Sequence, residues 1–168
     1  MAFSVFFDTE FTTSKPNEQP YLISISCVAE DGREFYAELS DTWHIGLCSE
    51  FVVSMVLPLL EGGACRTTEQ DLAVRLREWI ESLGTEEVIM RTDAPAWDWP
   101  WVEELFYFYG TWPKSLRRWC GTICFEDESA VQRYEEGLEN YWQQHMNRRH
   151  HALVDPRSLH YAWKCATA

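Results

Sequence analysis

Aromatic and β-branched residues run from Phe3 to Phe7 ahead of the first acid, Asp8, and predict a strand over residues 2–10. Residues 21–29, Tyr-Leu-Ile-Ser-Ile-Ser-Cys-Val-Ala, alternate in type and predict a second strand. Asp31-Gly32 reads as a turn, and Arg33 to Leu39 as the returning third strand. Three strands joined by short turns make an antiparallel meander. The period then changes. Leu72, Leu76, Trp79, Ile80 and Leu83 fall at helical intervals, behind a cap at Thr67 or Thr68 and ahead of a terminating Gly84. Val88-Ile89-Met90 is short and apolar, the mark of a buried strand. Further helices are predicted over 99–109, with Pro100 tolerated in its first turn, over 129–147, and near 155–166. Strands first, then helices with a strand between them, predict an α/β or α+β domain around a mixed central sheet.

The length of 168 residues suits a single domain, 1–168, and 46% hydrophobic residues are enough for a packed core. No apolar run approaches the roughly 18 residues of a membrane span, and the first residues lack the basic start of a signal peptide. The expectation is a cytoplasmic protein without membrane contact. The six cysteines form no C-x-x-C pair, which argues against a zinc ribbon or a thioredoxin-type site. The net charge of −13 argues against a protein that coats long duplexes, because such binders carry a basic stripe. It is compatible with gripping a short single-stranded end. Some of the excess would belong to carboxylates that hold cations, the rest to a solvated surface.

Asp8-Thr9-Glu10 ends the first strand. Side chains alternate there, so both acids share a face, with α-carbons about 6.5–7 Å apart. They either bracket a hard cation or are two solvated acids at a strand end. A second acid, Asp98, follows the 88–90 strand and is flanked by Trp97, Trp99 and Trp101. It either carries chemistry or caps the next helix, and Asp93 competes for the same role. The third element is His150-His151-Ala-Leu-Val-Asp155-Pro, which sets an imidazole and a carboxylate near a helix start.

Taken together, these segments resemble the DEDD superfamily of 3′→5′ exonucleases. Phe-Phe-Asp8-Thr-Glu10-Phe looks like its first motif, Trp97-Asp98 sits where its second places an aromatic-Asp pair, and His150-x-Ala-Leu-x-Asp155 looks like the third motif of the His-containing (DEDDh) branch. Residues 22–37 are further similar to the second and third strands of the bacterial ribonuclease AS group, compact polyadenylate-preferring exoribonucleases. The likeness is strongest over residues 4–39 and 150–155. Pro156 departs from the Ala usual in that group and suggests a helix with Asp155 as cap and Pro156 first.

The resemblance implies an RNase H-like α/β fold, often a homodimer, and two Mg²⁺ or Mn²⁺ ions roughly 3.5–4 Å apart that clamp the scissile phosphate. Asp8 would bridge both, Glu10 and Asp155 would complete one, and Asp98 would hold the other mainly through water. His150 would act as general base, with His151 pointing elsewhere. The product would be a 5′-mononucleotide released from the 3′ end of single-stranded RNA. Phe11 is expected to stack on a base, with Thr9 and Trp97 as further substrate contacts and Trp99 and Trp101 as weaker ones. Arg148, Arg149 and Arg157 either touch backbone phosphates near the site or are solvated cations at a helix end, where the helix dipole favours them. The competing readings are a DNA-directed exonuclease and a non-catalytic nucleic-acid-binding module on the same fold.

Overall fold

The computed structural model describes residues 2–145 and 150–168. Five strands form one mixed sheet: β1 (Phe3–Phe11), β2 (Leu22–Ala29), β3 (Glu34–Leu39), β4 (Arg66–Thr67) and β5 (Val88–Arg91), in the order β4-β3-β2-β1-β5. The expected meander is present. β1 pairs antiparallel with β2 and β2 antiparallel with β3, while β5 adds parallel to β1. Gly32, at φ 90°, closes the tight turn between β2 and β3.

The period of two in β1 assigns its residues to two different layers. Val5 and Phe7 enter a core built with Leu72, Leu76 and Ile80 of α1 (Glu69–Ser82) and Val102 and Leu105 of α2 (Pro95–Phe108). Phe6 points the other way, against His160 and Trp163 of α4 (Val154–Thr167), at ring separations of 5.8 and 5.6 Å. Each such buried phenylalanine contributes about 1.5–3 kcal/mol. The outermost helix, α3 (Glu128–His145), packs on α4. Gly137 makes this approach close: a Cβ there would sit 2.9 Å from the Ala162 Cα. Its poor helix propensity, about 1 kcal/mol below alanine, is offset by that contact.

Thr68 caps α1 by accepting from the Asp71 N–H, and Gly84 follows the helix at φ 71°, as its sequence predicts. Two expected helix starts are corrected. α2 begins at Pro95 rather than residue 99, so Pro100 is its sixth residue and cannot supply the N–H that a helix directs at the Ala96 carbonyl. Pro95 suits the first position because its fixed φ is already helical. In α4 the cap is Leu153, not Asp155, and Pro156 is third. Its missing N–H would have had no partner within the helix anyway. Residues 146 and 147 of the expected third helix lie outside the described residues. Between β3 and β4, short helical turns at Ile45–Leu47, Val52–Val56, Leu57–Leu59 and Gly63–Cys65 bury Val52 and Val56 against Ile23.

Among the described residues no helix is long and apolar enough to cross a membrane. All six cysteines are free thiols.

Candidate active site

β1 is paired with β5 only from Phe3 to Phe6. Beyond that point β5 ends and its chain turns away into α2, so the last residues of β1 border a crevice at the carboxyl ends of two parallel strands. Open α/β sheets place their ligand sites in such crevices.

Asp8 and Glu10 project from the α4 face of β1. Asp155, second residue of α4, comes down to meet them. One carboxylate oxygen from each of the three lies within 4.8 Å of the others. Asp155 stands in the first turn of its helix, where the dipole favours negative charge. Asp98 approaches from the opposite layer. It is 2% exposed, and both its oxygens are engaged: the Thr9 hydroxyl donates to Oδ1 at 2.6 Å and the Thr92 hydroxyl to Oδ2 at 2.5 Å. Asp98 therefore stands outside the three-carboxylate group, next to it. Asp93 is exposed. Its charge acts on Asp8 more weakly than that of Asp98, which favours Asp98 as the fourth acid.

Crowding these acids has a cost in their ionisation. Burial, then the charges of Asp155, Asp98, Glu10 and Asp93, hold the Asp8 carboxyl well above its usual range. Burial, then Asp155 and Asp98, push Glu10 up to about 8. Burial raises Asp98 to about 6 against the opposing hydrogen bonds from Thr9 and Thr92. Asp8 Oδ2 is buried without a hydrogen-bond partner among the described residues. A buried, unpartnered oxygen within a set of mutually repelling oxygen donors fits a hard divalent cation such as Mg²⁺ or Mn²⁺.

This arrangement predicts a stability profile. Asp8 and Glu10 bind protons more readily folded than unfolded, so their contribution is full below the unfolded value and lost as pH rises through the folded one. In chelator, the melting temperature is expected to fall as pH rises from 4.5 to about 8, the interval set by Glu10. Saturating Mn²⁺ should remove most of that fall, because it binds only the folded protein. Thermal melts by circular dichroism at several pH values test this. A profile in chelator that is flat or rises would show that the carboxylates are not strained.

The remaining expected residues are placed as follows. A register shift at Glu10/Phe11 re-aims Phe11, whose ring stacks on Trp97 at 5.8 Å with planes 10° apart and leans on Trp101 at 6.1 Å. Trp97 is 52% exposed, one helical turn from Trp101, and the three rings line a hollow of about 240 Å³. Trp99 is buried against Phe7 and Trp112 and belongs to the core. Thr9, expected on the substrate, is itself buried, and its hydroxyl is committed to Asp98. Strand alternation explains this, since the residue between two outward acids must face the layer beneath. Arg157 forms a two-pronged ion pair with Glu34, both bonds at 2.7 Å. Arg148 and Arg149 lie outside the described residues.

His150 has φ 73°, a left-handed backbone uncommon for residues other than glycine, and its ring meets Phe51 edge-on at 5.0 Å. It is not one of the three ligand groups that converge. His151 points elsewhere, as expected: it is buried and stacks on Tyr36. Sequence reasoning missed Thr92, for which no motif gives a signal, and the groups around His151. A larger hollow, about 690 Å³, is lined by residues of the C-terminal half of α2 with Gly110, Trp112 and Arg118 and includes none of Asp8, Glu10, Asp98 and Asp155.

No family model matches the chain, and no curated protein matches it. The fold is shared with solved structures. An exonuclease I aligns with a TM-score of 0.60 and 17% identity over 99% of this chain and 41% of its own. E. coli exonuclease I in complex with a dT13 oligonucleotide aligns at 0.58 and 16%, over 99% and 41%. The zinc-bound E. coli exonuclease I–single-stranded DNA complex aligns at 0.53 and 18%, over 95% and 39%. The chain thus spans about two fifths of the length of those proteins. The likeness bears on the fold. The narrower resemblance to the ribonuclease AS group gains nothing from it.

Proposed function

We propose that this chain is a metal-dependent 3′→5′ exonuclease that releases 5′-mononucleotides from single-stranded ends, with RNA as its substrate. One observation carries the reading: acids from opposite ends of the sequence, Asp8, Glu10 and Asp155, bring oxygens within 4.8 Å of one another at the carboxyl end of β1. Two divalent cations held there and beside Asp98 would stabilise charge on the scissile phosphate and its departing 3′ oxygen.

The side chains divide the remaining work. Asp8, Glu10 and Asp155 supply the inner ligands. Asp98, its oxygens already held by Thr9 and Thr92, is fixed in direction and would act through water. His150 takes the proton of the attacking water as its oxygen bonds to phosphorus. Phe11 and Trp97 offer the terminal bases a flat aromatic surface, where stacking contributes about 1–3 kcal/mol per base. Phe11 follows Glu10 in the chain and Trp97 precedes Asp98, so a base seated on them brings its phosphate to the carboxylates.

The RNA assignment rests on the motif resemblance. A DNA-directed activity is the second reading, favoured by the single-stranded DNA bound in solved structures of the same fold. Digestion of 5′-labelled oligoadenylate, oligouridylate and single-stranded DNA in Mn²⁺ separates them. The expected result is stepwise shortening of RNA from its 3′ end with 5′-mononucleotide release. Faster shortening of DNA would transfer the assignment to DNA, and no mononucleotide from any strand would end it.

A further inference from the structure

On the α4 face of the sheet, two strands away from Glu10, β3 carries a second acid that the proposed chemistry does not use. Glu38 is 1% exposed. In register it lies across Ser24 from Glu10. Its carboxylate accepts from the Tyr36 hydroxyl at 2.8 Å, from the Glu61 N–H at 2.5 Å and from the Gly62 N–H at 3.0 Å. Three donors satisfy a buried carboxylate that would otherwise be costly to desolvate. They also tie down the turn at residues 61–62, where Gly62 has φ 67°.

That turn has a consequence for the next element. It places Glu61 Oε1 3.4 Å from His151 Nε2. The Leu153 N–H donates to His151 Nδ1 at 3.2 Å, so Nδ1 is an acceptor and the neutral ring carries its proton on Nε2. The Tyr36 ring lies on the imidazole at 5.1 Å, planes 29° apart. His151 is therefore held at Nδ1 and on one face, with the Glu61 carboxylate beside its Nε2, at 3% exposure. Its immediate neighbour is His150, in a left-handed conformation that an L-residue keeps only when its surroundings enforce it. With His151 locked inward, the chain must turn at residue 150 and carry that imidazole the other way, against Phe51.

We propose that Tyr36, Glu38, Glu61 and His151 form a positioning network that sets the direction of the His150 imidazole. None of the four touches the reacting atoms; they act through His150. The inference rests on the reading of His150 as the base.

The test uses the full chain, Mn²⁺ and 5′-labelled oligoadenylate or oligodeoxyadenylate, whichever the wild type cuts faster. Glu61 is chosen because its side chain is 47% exposed and its loss should leave the fold intact. Glu61→Ala should lower kcat by about tenfold or more, as misplacement of a catalytic group does, with KM and Mn²⁺ affinity unchanged. Glu61→Gln keeps a side-chain oxygen beside Nε2 and should recover most of the rate. Tyr36→Phe, which keeps the stack and removes one of the donors to Glu38 Oε1, should fall between. In a His150→Asn background, Glu61→Ala should cost nothing further. A Glu61→Ala rate within twofold of wild type, beside a crippled His150→Asn, overturns this proposal alone. So does an equal loss in both backgrounds. An inactive wild type overturns the functional reading and this proposal with it, and a fully active His150→Asn removes His150 as the base and this proposal with it.

Discussion

Asp8→Asn is expected to abolish turnover while raising the melting temperature measured in chelator. The two effects come from one charge. Burial, then the charges of Asp155, Asp98 and Glu10, raise the Asp8 carboxyl, and its Oδ2 is buried without a partner among the described residues. In the absence of a cation the folded state bears this repulsion and desolvation. An isosteric amide removes both. The same substitution removes the charge and one of the two oxygens that Asp8 would offer a cation, so turnover should fall at least about 10³-fold, equivalent to roughly 4 kcal/mol of transition-state stabilisation. Mn²⁺ should then no longer raise the melting temperature. Oligonucleotide digestion and paired melts with chelator or Mn²⁺ give both numbers from one preparation. Such opposed effects on activity and stability are the signature of a site strained for function. A variant that loses activity and also melts lower in chelator would instead point to damaged packing, and retained turnover would remove Asp8 from the chemistry.

The parts of this site that could be read from sequence are those whose information is local. A period of two puts Asp8 and Glu10 on one face of a strand. Proximity in sequence ties His150 to Asp155. The same alternation sends Thr9 to the opposite layer, but no local pattern says that Asp98, 89 residues further on, waits there to accept its hydroxyl. Two prolines five residues apart, Pro95 and Pro100, each suit a helix start. The choice between them is made by tertiary contacts: Asp98 must already be helical to reach Thr9 and Thr92. Glu38 was hidden for a different reason. In Phe35-Tyr36-Ala37-Glu38-Leu39 a glutamate alternating with apolar residues reads as solvent-facing, and the sheet's second face is covered by segments that follow much later in the chain. The turns between residues 45 and 65 carry no sustained period, and their form depends on what they cover. The fold's outline is thus written in periodicity, whereas its buried polar contacts depend on long-range topology.

His150→Asn is expected to separate catalysis from cation binding. The observed φ of 73° makes asparagine the better replacement than alanine, because it tolerates the left-handed region several-fold more readily than most residues. The backbone corner and the locked His151 should persist, and only the imidazole is lost. General-base assistance contributes typically 10²–10⁴-fold, and the rate at saturating substrate should fall within that range. His150 stands outside the group of Asp8, Glu10 and Asp155, so the Mn²⁺-induced rise in melting temperature should equal that of wild type. Asp8→Asn loses both signals and His150→Asn only one, so the pair tests whether ligand and base are distinct groups. Single-turnover digestion alongside Mn²⁺ titration calorimetry measures this directly. A His150→Asn protein that cuts at the wild-type rate would assign the proton transfer to another group, while one that no longer binds Mn²⁺ would make His150 a ligand.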